Sequence, residues 1–406
     1  MKEVVKVSDP RLVALLARQA TQHADRDHLG LDRVAALLSA LGDPHHRMPP
    51  AFHVAGTNGK GSTCAFLRAG LEAAGHRVHV FTSPHLVRYN ERIRLAGMLI
   101  SDAQLADVMG RVLDANDAVG ASLFEVNTAA AFLAFAETPA DSCVIEVGLG
   151  GRLDATNVID APIACGIASL GMDHEDFLGT TIAEVAAEKA GIAKRGVPLV
   201  ALRPVAEALA AIERGAEVAG ASLLLEGRDW QMPDDFHPAL SGAHQQKNAA
   251  LAWAMIAAQS ALAVTRDQFK QGLITAEWPA RFQRLRDGPL TRDRETWLDG
   301  AHNVDAAAAL AALMAKREPM HLVLGILANK DAAGIIGLLK PHAQSLTFVP
   351  VPDHPSHEPA VLAEQFGGRA SATLAEALDP LPAPRLIAGS LYLAGEVLRL
   401  NQQFPH

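Results

Sequence analysis

Phe52-His-Val-Ala-Gly56-Thr-Asn-Gly59-Lys60-Gly61-Ser62-Thr63 is the stretch whose reading decides the fold. An apolar run that reads as a strand gives way to a glycine-rich turn, and an alanine-rich helical stretch follows at once. That order presents several backbone N–H groups and the positive end of a helix to an anion. Gly56, Gly59 and Gly61 permit positive φ and close approach of a ligand. Between them Thr57 and Asn58 complete the loop. Lys60 supplies a point charge for β- and γ-phosphates, and Ser62 or Thr63 a hydroxyl for Mg²⁺. The strict phosphate-loop pattern G-x-x-x-x-G-K-[ST] is not met, because Val54 stands at the first glycine and Gly61 follows the lysine. A ligand-free glycine turn is the plainer alternative. The density of phosphate-binding residue types from Gly56 to Ser62 favours a nucleotide.

Outward from this loop, short β-rich runs alternate with alanine-rich helical windows. Strands are expected at 51–55, 77–82, 143–147, 164–170, 199–201, 296–298, 321–325, 345–349 and 385–388. Helices are expected at 61–74, 182–194, 247–263, 304–315 and 391–400. Runs that are apolar throughout suit a parallel sheet covered on both faces, and the alternation predicts a doubly wound α/β fold. A length of 406 residues allows two or three compact units. The polar stretch Arg284-Leu-Arg-Asp-Gly-Pro-Leu-Thr-Arg-Asp-Arg-Glu295 separates two series of strands. It divides the chain into 1–284, a linker at 285–295 and a smaller unit at 296–406, with a subsidiary β-rich lobe expected around 199–245.

Composition narrows the function classes. With 49% hydrophobic and 20% charged residues, the chain is not disordered as its main state. A net charge of −9 argues against a dedicated nucleic-acid binder. Cys64, Cys143 and Cys165 are too few and too scattered for a disulfide framework or a zinc knuckle. The opening Met1-Lys-Glu-Val-Val-Lys-Val-Ser-Asp-Pro10 lacks a signal-peptide core, and no run of 18 apolar residues follows. A soluble cytoplasmic chain without a membrane partner is expected.

Two charged residues stand where charge does not belong. Glu146, in Cys143-Val-Ile-Glu-Val147, is a lone acid on an apolar strand; burial demands a partner, and Mg²⁺ beside a nucleotide supplies one. Only ten of the 36 basic residues are lysines, so each misplaced one draws notice. Helical spacing puts Ile182, Val185, Ala186, Lys189 and Ala193 on one apolar face, whereas Lys194 points elsewhere. Lys189 must therefore lose its charge, find an acid or snorkel to water.

Further stretches complete a pattern: Thr82-Ser-Pro-His-Leu-Val-Arg-Tyr-Asn-Glu-Arg-Ile-Arg94, Glu146-Val-Gly-Leu-Gly-Gly-Arg-Leu-Asp-Ala-Thr-Asn157, Gly171-Met-Asp-His-Glu-Asp-Phe-Leu-Gly179, Ala280-Arg-Phe-Gln283 and Leu298-Asp-Gly-Ala-His-Asn303. Together with the shortened phosphate loop they resemble, in order and over nearly the whole chain, the bifunctional dihydrofolate synthase/folylpolyglutamate synthase family of the Mur ligase superfamily. The resemblance implies an N-terminal P-loop ATPase domain with a parallel sheet and a smaller C-terminal Rossmann-like α/β domain, with the active site in the cleft between them. Val304, where proline is usual, and Ala280, where glycine is usual, depart from the family pattern.

The resemblance also implies roles. Lys60, Lys189, Arg281 and His302 would be catalytic. ATP would be held by the loop 56–63 with Asn248 at the adenine, Arg281 at the phosphates, and Asp299 after domain closure. Ser62, Ser83, Glu146, His174 and a carbamylated Lys189 would bind two Mg²⁺ ions. Phe124 would stack on a pterin ring, and Ser390, opening a helix, would hold the carboxylate of L-glutamate. The implied activity is ATP-driven ligation of L-glutamate to dihydropteroate and reduced folates, by a monomer. Two rivals stand beside it. A cell-wall Mur ligase needs a uridine-nucleotide domain before the loop, where only about 50 helical-looking residues are found. A nucleotide-dependent switch has no use for Glu146, His174 and Lys189 together.

Overall fold

The computed structural model describes residues 9–21 and 30–406; the stretch 1–8, on which part of the signal-peptide reading rests, lies outside the described residues. Two α/β layers follow one another along the chain. The first sheet has eight strands: β1 (Ala51–Ala55), β2 (Val78–Phe81), β3 (Ile93–Leu95), β4 (Met98–Leu99), β5 (Ser142–Glu146), β6 (Ala164–Ile167), β7 (Pro198–Ala201) and β8 (Ser222–Leu225). Their order across the sheet is β4-β3-β2-β5-β1-β6-β7-β8. All pairings are parallel except those of the edge hairpin β3–β4. β1, β2, β5 and β6 are buried at every position, as a sheet covered on both faces requires.

Helices Lys60–Ala73, Ala243–Ala257 and Arg266–Thr275 cover one face. The other face is covered partly by Leu123–Glu137, a helix with buried residues all round and no polar stripe. Ala206–Ala219 joins β7 to β8. This corrects the expectation of a β-rich lobe at 199–245: those strands extend the main sheet. The helix that carries Lys189 ends at Ala190, short of the expected 194, and Lys194 folds back to donate from Nζ to Asn157 O at 2.9 Å.

The second sheet comprises β9 (Gln283–Arg284), β10 (Thr296–Leu298), β11 (Met320–Leu324), β12 (Ala343–Phe348), β13 (Arg369–Ala370) and β14 (Arg385–Ala388). The order is β13-β12-β11-β14-β10-β9, with only β9 antiparallel. The second sheet thus takes its edge strand from the two residues before the polar segment 285–295. That segment is fastened down despite its polarity. The Arg385 guanidinium, almost fully buried, donates to Thr291 O at 2.7 Å, Thr296 Oγ1 at 2.6 Å and Leu378 O at 3.3 Å. Asn401 Oδ1 accepts the N–H groups of Leu290 and Thr291. No described helix is long and apolar enough to cross a membrane.

Candidate active site

In an open parallel sheet a crevice forms at the carboxyl ends of the strands where the strand order reverses. Here that point is β1, flanked by β5 and β6. Register sets Val54 opposite Glu146 and Ala55 opposite Ile167. The segments leaving β2, β5, β1 and β6 therefore emerge side by side. They carry Ser83, Glu146, the loop 56–60 and the stretch 171–174.

Gly56 (φ 151°) and Gly59 (φ 88°) take conformations that side chains rarely adopt. Space is equally restrictive: a Cβ on Gly59 would lie 2.4 Å from Asn248 Oδ1, and one on Gly61 2.7 Å from the Trp278 ring. The loop is thus pressed against helix Ala243–Ala257, which explains the use of small residues. Lys60 Nζ donates to Gly56 O at 3.0 Å and Thr57 O at 3.3 Å, so the ammonium lies over the loop. Ser62 Oγ and Thr63 Oγ1 are buried without a hydrogen-bond partner. Such orphaned hydroxyls call for a ligand; they fit a hard, oxygen-seeking cation such as Mg²⁺.

Glu146 ends β5 and is buried, with Oε2 accepting the Ser83 N–H at 3.1 Å. Burial pushes its carboxyl above the ordinary value, while Lys60, the Ser83 N–H, Arg281 and Arg92 pull it back. Lys189 is 3% exposed, and among the described residues no side-chain hydrogen bond or ion pair reaches its ammonium. Burial, then repulsion from Lys60, lowers it to about 7, against the pull of Asp173, Asp154 and Glu188. His174 sits at φ 55° and caps the short helix Glu175–Leu178. Burial holds it below the ordinary histidine value, with Asp173 opposing.

The second sheet aims its carboxyl ends at the same space. His302 follows β10 and places Nδ1 2.8 Å from Gly300 O, so Nδ1 is the protonated nitrogen and Nε2 keeps its lone pair. Burial pushes this ring down to about 4. The cap of helix Val304–Met314 is Asn303. Ser390 caps helix Leu391–Leu400, accepting the Tyr392 N–H at 3.1 Å. Arg281 donates to Ala280 O at 2.9 Å; burial lowers it, and Asp299 and Glu146 oppose that. Ala280 has φ 57°. A non-glycine residue in this left-handed conformation costs about 1–2 kcal/mol.

Of the residues expected from sequence, Gly56, Thr57, Asn58, Gly59, Lys60, Gly61, Ser83, Phe124, Glu146, His174, Lys189, Arg281, His302 and Ser390 line one cavity of about 670 Å³. That size suits a small-molecule site. Ser62, Thr63, Asn248 and Asp299 lie behind its wall. The two oxygens of Asp299 are taken by the N–H groups of Phe282 at 2.7 Å and Ala301 at 2.8 Å, so it shapes the turn that presents Arg281 and His302. Phe124 lies so close over Gly148 that a Cβ there would be 2.2 Å from its ring.

Sequence reasoning missed the bridge across the cleft. Asp173 binds Lys330 through its carboxylate, accepts from Asn303 Nδ2 at 3.1 Å, and lies 3.8 Å from His302 Nε2. Burial pushes the Asp173 carboxyl up, but Lys330, His174 and Asn303 outweigh this and hold it well below the usual carboxylate value. Asn58 and Asn303 exchange side-chain hydrogen bonds at 3.1 and 3.2 Å. The scarcity of lysine was the one available signal for Lys330.

Comparison with known proteins decides the family. The chain is 36% identical over 354 residues to the dihydrofolate synthase/folylpolyglutamate synthase of Bacillus subtilis (strain 168), covering 79% of this chain and 80% of that protein. The chain belongs to the dihydrofolate synthase/folylpolyglutamate synthase family. The family member of Escherichia coli (strain K12) is 33% identical over 422 residues, covering 98% of this chain and 97% of that protein. A structure of E. coli FolC in complex with DHPP and ADP matches with TM-score 0.87 at 30% identity, over 98% of this chain and 99% of that one. A bifunctional folylpolyglutamate synthase/dihydrofolate synthase with Mn, AMPPNP and L-glutamate bound matches with TM-score 0.86 at 30% identity, over 98% and 99%. No protein-family model matches the chain.

The raised Glu146 carboxyl yields a prediction. A carboxyl raised in the fold weakens stability above its unfolded value, where the unfolded chain ionises freely. Glu146→Gln should raise the melting temperature of the metal-free protein at pH 8 by roughly 2–4 °C. The gain should shrink as pH falls into the ordinary carboxylate range. The same variant should need at least about tenfold more Mg²⁺ for half-maximal turnover. Differential scanning fluorimetry in a chelator and a Mg²⁺ titration of phosphate release measure the two effects.

Proposed function

We propose that this chain joins L-glutamate to 7,8-dihydropteroate, and then to reduced folates, with conversion of ATP to ADP and phosphate. The observation that carries the reading is the cavity of about 670 Å³ that residues of both sheets line together. One wall holds a phosphate loop, Glu146 and Lys189, and the other holds Arg281, His302, Lys330 and Ser390. The complexes named for family members, with ADP, AMPPNP, DHPP and L-glutamate, support it.

In the first step an oxygen of the pterin substrate's carboxylate attacks the γ-phosphorus of ATP. The bond to the bridging oxygen breaks, ADP leaves, and an acyl phosphate remains. Lys60 and Arg281 face the charge that develops on the phosphoryl oxygens. In the second step the glutamate α-amine attacks the acyl carbon. The tetrahedral intermediate breaks its bond to the phosphate oxygen, and the proton shed by the nitrogen passes to the departing phosphate, which leaves as hydrogen phosphate. Neutral His302, with Nδ1 committed to Gly300 O, offers the Nε2 lone pair to that amine and orients it. Ser390 and the amino end of its helix receive a glutamate carboxylate, and Phe124 stacks on the pterin. Asn248, behind the loop, serves the adenine side.

Ser62, Ser83 and Glu146 would hold one Mg²⁺, and His174 with a carbamylated Lys189 a second. When bound, the metal supplies neutralisation of phosphate charge. The carbamate forms when the neutral Lys189 amine adds to CO₂, making an N–C bond and releasing one proton. We assign the chain before β9 to the ATPase domain and the chain from β9 (Gln283–Arg284) to residue 406, the segment 285–295 included, to the ligase domain, which moves the boundary expected after residue 284 to before it. The reading takes the chain to act as a monomer in the cytoplasm.

Two experiments test this. Purified protein with ATP and L-glutamate should add the mass of one glutamyl residue to dihydropteroate, and one or more to tetrahydrofolate, as read by mass spectrometry. Phosphate release that ignores glutamate would instead favour a switch protein. For Lys189, a value near 7 leaves about half of the amine neutral at pH 7 and about a tenth at pH 6. Enzyme depleted of CO₂ should regain activity on adding bicarbonate, more strongly at pH 8 than at pH 6, and Lys189→Ala should show no such rescue. Activity indifferent to CO₂ depletion and bicarbonate would contradict the carbamate.

A further inference from the structure

The turn 42–47 follows helix Asp32–Ala40, which presents Arg33 to the cavity wall, but Asp43, His45 and His46 themselves line no part of that cavity. Asp43, at φ 51°, caps the short 3₁₀ turn Pro44–His46. One ligating atom from each of Asp43, His45 and His46 lies within 4.8 Å of the others, and among the described residues no other His, Cys, Asp or Glu set converges in this way. The two imidazole rings have centroids 3.9 Å apart at 39°. His45 Nδ1 is buried with no hydrogen-bond partner. A carboxylate from another loop faces the same place, with Asp160 Oδ2 3.7 Å from His46 Nδ1.

An unpaired buried ring nitrogen is costly and calls for an explanation. Burial, then the neighbouring His46, lowers His45 below the ordinary histidine value, so at neutral pH its ring offers a lone pair. We propose that Asp43, His45 and His46 form a binding site for a divalent transition-metal ion of the zinc class, completed by Asp160 or water. Two imidazoles with one or two carboxylates suit Zn²⁺, whereas Mg²⁺ favours all-oxygen octahedral shells and keeps its water. Bond lengths of about 2.0–2.1 Å to such an ion place neighbouring ligand atoms about 3.3 Å apart. The side chains of His46 and Asp160, 55% and 79% exposed, have the freedom to close that gap. The bound ion would tie the turn after Asp32–Ala40 to the loop that carries Asp160.

Equilibrium dialysis of the full chain against Zn²⁺, with excess Mg²⁺ present to occupy the catalytic cavity, tests this. Wild-type protein should retain one equivalent of Zn²⁺. Affinity should fall at least about tenfold in His46→Gln and in Asp43→Asn, asparagine being tolerated at positive φ. Both variants should keep ligase turnover. Independently of any variant, Co²⁺ added to the wild type should give a visible absorption band of low-coordinate type. No retained Zn²⁺, no Co²⁺ band, or unchanged Zn²⁺ affinity in the His45→Gln/His46→Gln double variant each overturns the proposal.

Discussion

A charge removed from water must meet a counter-charge, and the centre of this molecule is organised by that requirement. Glu146, Lys189 and Arg281 are all shifted from their ordinary values by burial first and by neighbours second. Lys60 acts on two of them, restraining the Glu146 carboxyl and repelling the Lys189 ammonium. Left alone, such a set is expensive to fold. On the function proposed, a polyphosphate with a divalent metal would add the charges that balance this set. The phosphate loop, the buried acid and the buried amine are therefore one constraint rather than three features.

The same requirement reaches across the cleft. Asp173 leaves the first sheet and meets Lys330, Asn303 and His302 from the second. Asn58 of the phosphate loop pairs with Asn303, 245 residues later. Neither half holds the whole site, so the chemistry depends on the two sheets facing each other with their carboxyl ends. An acyl phosphate is open to hydrolysis, and a cavity walled from both sides limits water.

Much of this was legible in the sequence where local context made a residue conspicuous. Glu146 stood out on an apolar strand, and Lys189 on an apolar helical face. The loop 56–63 announced itself by glycine spacing, and its burial against Asn248 and Trp278 explains why small residues were needed. What stayed hidden depends on contacts distant in sequence. Asp173 and Lys330 are ordinary surface residues until the fold brings them together. Asp299 was conspicuous beside Gly300 and His302, but that its carboxylate accepts the N–H groups of Phe282 and Ala301 shows only in the fold. The supposed lobe at 199–245 failed because two short apolar strands flank an alanine-rich helix whose period was overlooked. The polar segment 285–295 read as a linker, but buried Arg385 binds it to the second sheet.

The central claim is that the substrate carboxylate is activated by phosphoryl transfer within this shared cavity. Dihydropteroate labelled with ¹⁸O in its carboxylate tests it most directly, by mass analysis of the phosphate released during ligation. The account predicts one ¹⁸O atom transferred to each phosphate, because the attacking carboxylate oxygen stays with phosphorus when the amide forms. Phosphate released without the label would contradict it.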